Sequence, residues 1–237
     1  MNYKEVCIII PAYNEQNSIE NVINSIRKVS KKLAIVVVND GSTDNTFKKA
    51  KKTKCTILNH PFNLGIGGAV QTGLMWAKNN KFKFAIQVDA DGQHQPKDIP
   101  TLLKSLKKAD MVIGSRYVKK TDYKTPTLRL IAIKVLSLLI FLTCRKKISD
   151  PTSGFKVFGQ KSINFLTSQK SNENSDLIWT VELLKNKFKI KEIPVKMLNR
   201  KFGKSSFIAI NTLYLMLSVS IAMLMESLRE RERTDYE

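Results

Sequence analysis

This chain of 237 residues is poor in cysteine and in acidic side chains. Its three cysteines stand far apart, at positions 7, 55 and 144, and form no C-x-x-C pair, so no disulfide framework is indicated and reduced cysteines of a cytosolic protein are expected. The N-terminus also lacks the charged, apolar and cleavage regions of a secretory signal. We therefore expect the chain to stay on the cytoplasmic side of the membrane.

Two common nucleotide-binding signatures are missing as well. No G-x-x-x-x-G-K-[ST] run occurs, so P-loop chemistry is unsupported. Gly65-x-Gly67 resembles part of a dinucleotide fingerprint, but Val70 stands where the third glycine should be, and the stretch follows the third predicted strand instead of the first. What remains is a glycine-rich helix start, which either turns free backbone N–H groups toward an anion or lets the helix pack closely on a strand.

The scarcity of acidic residues leaves a large positive charge. Forty Lys and Arg residues against twenty Asp and Glu residues give a formal net charge of +20. Such an excess favours an anionic partner, whether nucleic acid, a phosphorylated substrate or an acidic lipid surface. The length favours one domain, with room for an appended segment.

Apolar runs alternate with amphipathic segments through the first 115 residues. This alternation predicts an α/β fold with a mostly parallel sheet flanked by helices on both faces. We expect strands at 6–10, 33–38, 55–58, 82–88 and 111–114. We expect helices at about 18–29, with Ser18 as N-cap, in the Lys-rich stretch after Asp44, from the glycine-rich start 63–68 to about 78, and at 97–107.

Two carboxylates directly follow the predicted strand 82–88. Asp89 and Asp91 are separated by one residue and stand at the carboxyl end of a strand, where open α/β sheets bind ligands. An Asp-x-Asp loop offers oxygen ligands to a hard divalent cation and leaves room for water and phosphate oxygens. A bare Asp-x-Asp is more often a solvated acidic turn, so the neighbouring motifs must decide between the two interpretations.

Five short motifs occur in an order and spacing that resemble the family 2 inverting glycosyltransferases: PAYNE at 11–15, NDGSTD at 39–44, NLG at 63–65, DADGQH at 89–94 and GSRY at 114–117. Three later motifs resemble the polyprenyl-phosphate branch of that family, which includes dolichyl-phosphate mannose synthases and bacterial undecaprenyl-phosphate sugar transferases: DPTSGF at 150–155, EIPV at 192–195 and R-x-x-G-x-S at 200–205. The resemblance covers residues 5 to about 206.

The resemblance implies a GT-A fold, a nucleotide-sugar donor and Mg²⁺ or Mn²⁺ as the metal. It implies that donor and metal are held by these residues: Pro11, Tyr13 and Glu15 around the nucleoside, Asp40 at the base, Gly65 at the glycine-rich helix start, and Asp89, Asp91 and Gln93 at the metal. We further expect acceptor or diphosphate oxygens to be bound by Arg116, Arg129 and Arg200. We expect Asp150 mainly to position the acceptor loop and to act as a base only secondarily, because a phosphate acceptor is already ionised at cytoplasmic pH.

The segment 115–147 concentrates the positive charge. From 116 to 147 it carries nine basic residues and one acidic residue, and within it a predicted apolar helix, 128–144, contains only two charges. This pattern suits a helix lying in an anionic membrane interface, although an ordinary core helix would also be apolar. We therefore predict attachment to anionic lipid through this segment.

A second apolar stretch, 207–225, carries no charge. Nineteen residues would span about 28 Å as a helix, which is marginal against a hydrocarbon core of about 30 Å. We favour a helix lying in the interface over a membrane span, so the expected division is a glycosyltransferase domain at 1–206, with the acceptor and membrane segment 115–147 inserted, and an interface helix with a charged tail at 207–237. A contact with a small membrane protein or with a second copy of the chain stays open.

Together these features predict an enzyme that transfers a sugar from a nucleotide-sugar to undecaprenyl phosphate or another polyprenyl phosphate, with inversion, at the cytoplasmic membrane face. Similarity of residues 65–76 to bacterial cell-wall polysaccharide enzymes favours UDP-GlcNAc or UDP-glucose over GDP-mannose and points to cell-wall or surface polysaccharide. The alternatives are transfer to a sugar hydroxyl, a catalytically dead scaffold, which the intact Asp89 and Asp91 disfavour, and a basic nucleic-acid-binding module, which no recognition motif supports.

Overall fold

The computed structural model describes residues 2–119, 125–168 and 176–199. Within these ranges one seven-stranded sheet forms the centre of the molecule, in the order β3-β2-β1-β4-β6-β5-β7. The strands are β1 (Val6–Ala12), β2 (Ala34–Asp40), β3 (Thr56–His60), β4 (Phe84–Gln87), β5 (Met111–Ser115), β6 (Lys156–Gly159) and β7 (Ile190–Pro194). The expected mostly parallel sheet is confirmed, because only β6 runs antiparallel to its neighbours.

Helices cover both faces of this sheet. They are α1 (Ile19–Val29), α2 (Thr46–Lys52), α3 (Gly65–Asn79), α4 (Ile99–Ser105), α5 (Thr127–Cys144), α6 (Gln160–Ser168) and α7 (Asp176–Lys185). Alternate residues of β1 enter two separate cores: Ile8 and Ile10 pack with α1 and α4, and Cys7 and Ile9 pack with α3, α6 and α7. A strand buried on both faces is a continuous apolar run, which is why β1 and β2 were readable from the sequence.

The first helix shows where local sequence signals succeed and fail. Its buried side chains, Ile19, Val22, Ile23 and Ile26, have the predicted helical spacing. Ser18 stands at the N-cap position, as predicted, but its side chain makes no capping hydrogen bond to the helix. Its hydroxyl donates to Glu15 Oε2 at 2.7 Å instead, which ties Ser18 to the loop before the helix.

Several predicted boundaries also shift. The strand expected at 82–88 is paired only over Phe84–Gln87, and the one expected at 55–58 extends to His60. The helix expected at 97–107 divides into a 3₁₀ turn at Pro96–Asp98, the short α4, and a second 3₁₀ turn at Leu106–Lys108. Such 3₁₀ turns are common at helix ends, and their tighter geometry is not visible in apolar spacing.

Strand β6 has a consequence for function. Because it runs antiparallel between β4 and β5, its first residue lies at the edge where those two strands end. Residues 150–155, which precede β6, are therefore brought to the same edge as Asp89 and Arg116. A fully parallel sheet would have placed them at the opposite edge.

Helix α5 is apolar around most of its circumference but is buried on one side only. Ala132, Ile133, Leu136 and Ile140 face the core. Exposed apolar side chains form a stripe along the other side: Leu128, Ile131, Val135, Leu138, Phe141 and Leu142. Among the described residues α5 is the one helix long and apolar enough to cross a bilayer, with 22% of its residues buried. The buried side of α5 fits the core-helix interpretation, and the membrane-interface interpretation of its exposed side stays a prediction. The stretch 207–225 and Arg200 lie outside the described residues.

Candidate active site

Apart from Arg129 and Arg200, the predicted site residues meet at one edge of the sheet. Parallel strands β1, β2, β4 and β5 all end there: β1 ends within residues 11–15, β2 ends at Asp40, β4 leads into the loop 88–95, and β5 leads to Arg116. The start of β6 adds residues 150–155. This edge is where an open α/β sheet presents its ligand crevice.

The loops after β1 and β2 are joined by hydrogen bonds from side chains to the backbone. Asn14 N–H donates to Ser42 Oγ at 3.0 Å, and the Asn14 side chain accepts from Thr43 N–H at 2.9 Å. Asp44 accepts from Gln16 N–H at 3.2 Å and from Thr46 N–H at 2.8 Å, which makes it a bracing residue of these loops. The bracing fixes the backbone of PAYNE as one wall of the crevice.

The three residues expected around the nucleoside lie on this wall. Tyr13 is 47% exposed, a large aromatic ring on the open side of the edge, while Pro11 is buried at the end of β1. Glu15 turns inward, where its carboxylate accepts from the Ser18 hydroxyl. An exposed aromatic ring beside a braced loop suits stacking on a nucleobase, which stays a prediction for Tyr13, as contact with the nucleoside does for Pro11 and Glu15.

The side chain of Asp40, the last residue of β2, binds the backbone at the start of helix α3. Its two carboxylate oxygens accept from Leu64 N–H and Gly65 N–H, both at 2.9 Å, and Oδ1 also contacts His60 Nδ1 at 2.8 Å. The anion at this glycine-rich helix start is thus the protein's own carboxylate, and Gly65 adopts a positive φ of 82°, which glycine allows without strain. Binding of the base by Asp40, and of the donor by Gly65, stay predictions.

His60 ties this cluster to the body of α3. Its Nε2 lies 3.0 Å from Thr72 Oγ, and the Thr72 hydroxyl lies 3.0 Å from Gly68 O as its acceptor. The glycine face of α3 also packs closely on the sheet, because a Cβ at Gly73 would lie 3.1 Å from Ile9 Cγ1. Both interpretations of the glycine-rich segment are therefore realised, an anion at its start and close packing further along.

The acid loop, residues 88–95, is organised around His94. Asp89 N–H donates to His94 Nδ1 at 3.1 Å, so this nitrogen is the acceptor and the proton of the neutral ring is on Nε2. That Nε2 lies 3.6 Å from Asp89 Oδ2, and the ring stacks on Phe155 at 4.7 Å. His94 therefore holds the Asp89 backbone by a hydrogen bond and lies beside the Asp89 carboxylate.

The electrostatic environment keeps His94 neutral. The pKa of His94 is lowered to about 4, mainly by burial. The positive charge of Arg116 also lowers this pKa, and the negative charges of Asp91 and Asp150 raise it. These charges come from the acid loop and from the acceptor side, so His94 lies between the two halves of the site.

The remaining part of the acid loop is fastened to the chain after β7. Asp91 accepts from Gln93 N–H at 3.0 Å, and Gln93 Nε2 donates to Leu198 O at 3.1 Å. Asp89 keeps 27% of its side chain exposed, which leaves a carboxylate surface toward the crevice. Metal binding by Asp89, Asp91 and Gln93 stays a prediction, and their oxygen atoms are of the kind that Mg²⁺ and Mn²⁺ prefer.

A buried ion pair joins Arg116 and Asp150, two residues that are predicted to serve the acceptor side of the site. Arg116 Nε and Nη2 donate to the two oxygens of Asp150, both at 2.7 Å, and Arg116 N–H donates to Oδ2 at 2.9 Å. Arg116 is 3% exposed and Asp150 is fully buried. Arg116 Nη2 also donates to Thr152 at 2.9 Å, which extends the pair into the DPTSGF motif. This bidentate pairing fixes the orientation of the Arg116 guanidinium relative to Asp150.

The two sides meet at Gly154. A Cβ added there would lie 2.8 Å from Cγ of Asp89, so only glycine allows the DPTSGF backbone to approach the acid so closely. Ser153, the preceding residue, donates to Gly114 O at 2.6 Å and locks the same loop onto the end of β5. Asp89 of the acid loop is therefore in direct contact with the DPTSGF loop, residues 150–155.

Glu192 is a residue to which the sequence interpretation gave no role. Its carboxylate accepts from Ser149 N–H at 2.7 Å and from Asp150 N–H at 2.8 Å. Glu192 was noted as part of the EIPV motif. Its hydrogen-bond partners were not predicted, because they lie 42 and 43 residues earlier in the chain and no local pattern links residues so far apart. Of the other two predicted arginines, Arg129 is half-buried in the first turn of α5, and Arg200 lies outside the described residues.

Named relatives resemble the chain over nearly its whole length. The UDP-N-acetylglucosamine–dolichyl-phosphate N-acetylglucosaminyltransferase of Methanococcus voltae is 28% identical, over 94% of this chain and 99% of that protein. The undecaprenyl-phosphate mannosyltransferase of Micrococcus luteus is 28% identical, over 84% of this chain and 86% of that one. The predicted resemblance to the polyprenyl-phosphate branch is confirmed.

The fold and the family are both established by comparison. A crystal structure of glucosyl-3-phosphoglycerate synthase from Mycobacterium tuberculosis, in complex with Mn²⁺, uridine diphosphate and phosphoglyceric acid, superimposes with a TM-score of 0.69. It shares 18% identity and covers 96% of this chain and 79% of that one, which confirms the expected GT-A fold. The sequence pattern of glycosyl transferase family 2 matches residues 7–167, more than half of the chain, and this protein therefore belongs to that family.

Proposed function

We propose that this glycosyltransferase moves a sugar from a nucleotide-sugar to a polyprenyl phosphate, with inversion, at the cytoplasmic face of the membrane. The acceptor class is supported by the relatives that span most of the chain, one named for dolichyl phosphate and one for undecaprenyl phosphate. Their donors differ, N-acetylglucosamine in one and mannose in the other. UDP-GlcNAc and UDP-glucose are our favoured donors, ahead of GDP-mannose, and cell-wall or surface polysaccharide is the favoured destination.

The contact between Gly154 and Asp89 is the observation that carries the proposal. Sugar transfer requires the donor diphosphate and the attacking oxygen to lie within reach of each other, in one oriented site. Here the loop that bears the Asp-x-Asp acids touches the loop that contains Asp150, and Arg116 is bonded to that loop. Both halves of a transfer site are thus adjacent before any substrate is present.

A divalent metal fits the acid loop. No group of three or more His, Cys, Asp and Glu side chains gathers within the described residues, so a complete protein cage is not offered there. The acid loop offers two carboxylates and an amide instead. Proteins commonly hold Mg²⁺ with one or two carboxylates and leave the other coordination positions to phosphate oxygens and water. We propose that Asp89, Asp91 and Gln93 hold Mg²⁺ or Mn²⁺, which when bound would neutralise charge on the departing nucleoside diphosphate.

The acceptor needs little help from a base. A phosphate monoester has a second pKa near 6, so its oxygen already carries the charge for attack at neutral pH. In the proposed step this oxygen forms a bond to the anomeric carbon from the face opposite the diphosphate, and the bond from that carbon to the diphosphate oxygen breaks, which inverts the centre. Asp150 is paired with Arg116 instead of facing a proton to remove, so we assign it to positioning.

The acceptor's lipid chain requires a membrane, and α5 provides an attachment surface. Its exposed stripe is apolar, and Arg145, Lys146 and Lys147 at its end are exposed. We propose that α5 lies in the membrane interface with these cations at the level of anionic headgroups, where each contributes about 1 kcal/mol. Arg129 in its first turn and Arg200 further along the chain are proposed to contact acceptor or diphosphate oxygens.

A panel of radiolabelled UDP-GlcNAc, UDP-glucose and GDP-mannose, each offered with undecaprenyl phosphate in vesicles, tests the proposal. We expect label in the lipid extract with one donor, and its loss in EDTA. Asp91→Asn should lower transfer by about 100-fold or more because a metal ligand is lost, while Asp98→Asn, seven residues further on, should transfer normally. Label that stays in the aqueous phase on a soluble sugar, or full activity in EDTA, would contradict the acceptor or the metal respectively.

A further inference from the structure

Strand β7 and the residues after it contact every loop of the site described above except those around the nucleoside. Val195 N–H donates to Ser115 O at 3.0 Å, immediately before Arg116. Further along, Leu198 N–H donates to Gln93 O at 2.9 Å. One edge segment, residues 192–198, therefore reaches the end of β5, the acid loop and, through Glu192, the acceptor loop.

The acceptor end of this segment is held by Glu192. The two oxygens of its carboxylate each take one backbone N–H, from Ser149 and Asp150, at 2.7 and 2.8 Å. Hydrogen bonds to an ionised acceptor are roughly twice as strong as neutral ones. They fix the peptide from which the Asp150 side chain extends to Arg116. The backbone ladder between β5 and β7 forms without them, so strand pairing alone does not require this carboxylate.

The donor end is held by two glutamines of the acid loop. Gln93 Nε2 donates to Leu198 O, which together with the bond from Leu198 N–H to Gln93 O makes a two-way connection. Gln95 Nε2 donates to Lys196 O at 2.5 Å, two residues earlier on the segment. The acid loop thus spans from β4 to the continuation of β7, across the ends of β6 and β5 that lie between them in the sheet.

We propose that residues 192–198 act as a tie that sets the acid loop relative to the Arg116–Asp150 pair, and that Glu192 and Gln95 are positioning residues for sugar transfer. This inference rests on the proposed function for its substrates. Neither side chain needs to touch the substrate. Glu192 acts through the Asp150 peptide, and Gln95 acts through the backbone of the segment that carries Glu192.

The tie has a directional consequence. A nucleoside diphosphate and metal that bind at Asp89 and Asp91 order the acid loop, and the glutamine bonds pass that ordering to residues 196–198. The same segment holds the Asp150 peptide through Glu192. Donor binding should therefore slow amide exchange at residues 149–150, which lie on the acceptor side, as well as in the acid loop itself.

The acceptor end is tested with Glu192→Gln in the full-length protein, with Lys191→Gln as the matched control on the same strand, where the side chain is exposed. The amide keeps the shape but turns an NH₂ group toward one of the two N–H donors. We expect kcat/KM for undecaprenyl phosphate to fall by about tenfold or more, with the donor KM changed less than about twofold, because a charge-assisted bond is lost on the acceptor side alone. Amide exchange in the peptide 146–152 should also be faster, whatever the activity.

The donor end is tested with Gln95→Met, which removes the N–H donor at similar volume, against Gln71→Met on α3. Wild-type protein is mixed with Mn²⁺ and either UDP or GDP, and amide exchange is followed by mass spectrometry. We expect the nucleotide that binds to slow exchange in both the acid loop and the peptide 146–152. In Gln95→Met the acid loop should still respond fully and the response of the peptide 146–152 should be smaller than in wild type, because only Gln93 then joins the acid loop to residues 196–198.

The outcomes separate this inference from the proposed function. Wild-type protein that binds neither nucleotide and transfers no label contradicts the proposed function. Wild-type transfer together with a Glu192→Gln variant that matches Lys191→Gln in kcat/KM and in exchange overturns the positioning role of Glu192. A peptide 146–152 that responds to nucleotide equally in Gln95→Met and in wild type overturns the positioning role of Gln95, even if the variant has reduced activity, and one that does not respond to nucleotide in wild type overturns the tie.

Discussion

At the scale of single residues, the predicted acceptor side is held together by the carboxylate of Asp150, which is not exposed to solvent. Asp150 is fully buried, and both of its oxygens accept bonds from Arg116. Removing one partner of a buried pair typically costs about 3–5 kcal/mol, because the other charge stays buried without compensation. The functional assignment of Asp150 and its contribution to stability are therefore separable by experiment.

Asp150→Asn keeps the shape of the side chain and removes its charge. We expect the free energy of unfolding to fall by about 3–5 kcal/mol at pH 7, and transfer to be reduced but measurable, since the acceptor phosphate supplies its own charge. Denaturant unfolding and the pH dependence of kcat would be measured together. A variant that folds and binds both substrates but shows no turnover at any pH would restore Asp150 as an obligatory base.

Asp98 provides a test in which stability should rise. Burial raises the pKa of Asp98, with Lys97 partly offsetting the effect, and its Oδ2 is buried without a hydrogen-bond partner among the described residues. A folded-state pKa above the unfolded value of about 3.9 means that stability falls as pH rises through this window, so at pH 7 the charge is unfavourable. Asp98→Asn should therefore raise the free energy of unfolding at pH 7 by up to about 1 kcal/mol, reduced by partial exposure.

The comparison that checks this prediction is the difference in stability between Asp98→Asn and wild type as a function of pH. The difference should shrink below about pH 4, where the wild-type carboxyl is protonated in both states. A variant that is less stable than wild type at pH 7 would show that Asp98 makes a favourable interaction as an anion, for example with the start of α4.

At the scale of elements, the positions of the strands that carry the site could be predicted from the sequence, but which strands pair with each other, and in which direction, could not. Apolar runs that end in polar motifs located β1, β2, β4 and β5, because a strand buried on both faces has a nearly unbroken apolar sequence. The antiparallel β6 was not predicted, since four residues carry no signal of direction. Direction is set by pairing with β4 and β5, strands that are distant in sequence.

The same limit applies inside the candidate site. Asp40 and Glu192 were both visible in motifs, but the backbone N–H groups that they accept from lie 24 or more residues away, so these hydrogen bonds appeared only in the structure. Ser18 stands at the predicted N-cap position, but the bond that its hydroxyl donates to Glu15, in place of a bond accepted from the helix, was not visible in the sequence. Residue types at sheet edges can be predicted from sequence, whereas which donor meets which acceptor depends on tertiary packing.

The contact between the acid loop and the start of β6 predicts a strong effect for a small substitution. In Gly154→Ala the new methyl group would lie 2.8 Å from Cγ of Asp89, so either the acid or the DPTSGF backbone must move. A displacement of about 1 Å in an oriented site can cost about 100-fold in rate. We expect kcat to fall by that order, with a weaker Mn²⁺ response, while Asp98→Asn serves as a folded control. Unchanged kcat at all Mn²⁺ concentrations would mean that the two loops move together without consequence.

At the scale of the whole molecule, the site and the proposed membrane surface belong to one folded unit. Helix α5 buries one side in the core shared with α3, α6 and α7, and its opposite side carries the exposed apolar stripe. Leu128, Ile131, Leu138 and Leu142 are each 53–55% exposed along it. Changes to the stripe should therefore alter lipid binding without loosening the fold, because the packed side is untouched.

The double variant Leu138→Gln, Leu142→Gln tests this surface. We expect binding to vesicles that contain anionic lipid to fall by about tenfold or more, since each half-exposed leucine has roughly 1 kcal/mol or more of further burial to gain, and thermal unfolding to change little. Met75→Gln, a similarly exposed apolar residue on α3, is the control and should bind as wild type does. Binding by wild type should also weaken from low to physiological salt, where the Debye length shortens to about 8 Å, because Arg145, Lys146 and Lys147 contribute electrostatically. If the double variant and Met75→Gln bind vesicles equally well, α5 is not the surface that meets the lipid, and the apolar stripe must have another role.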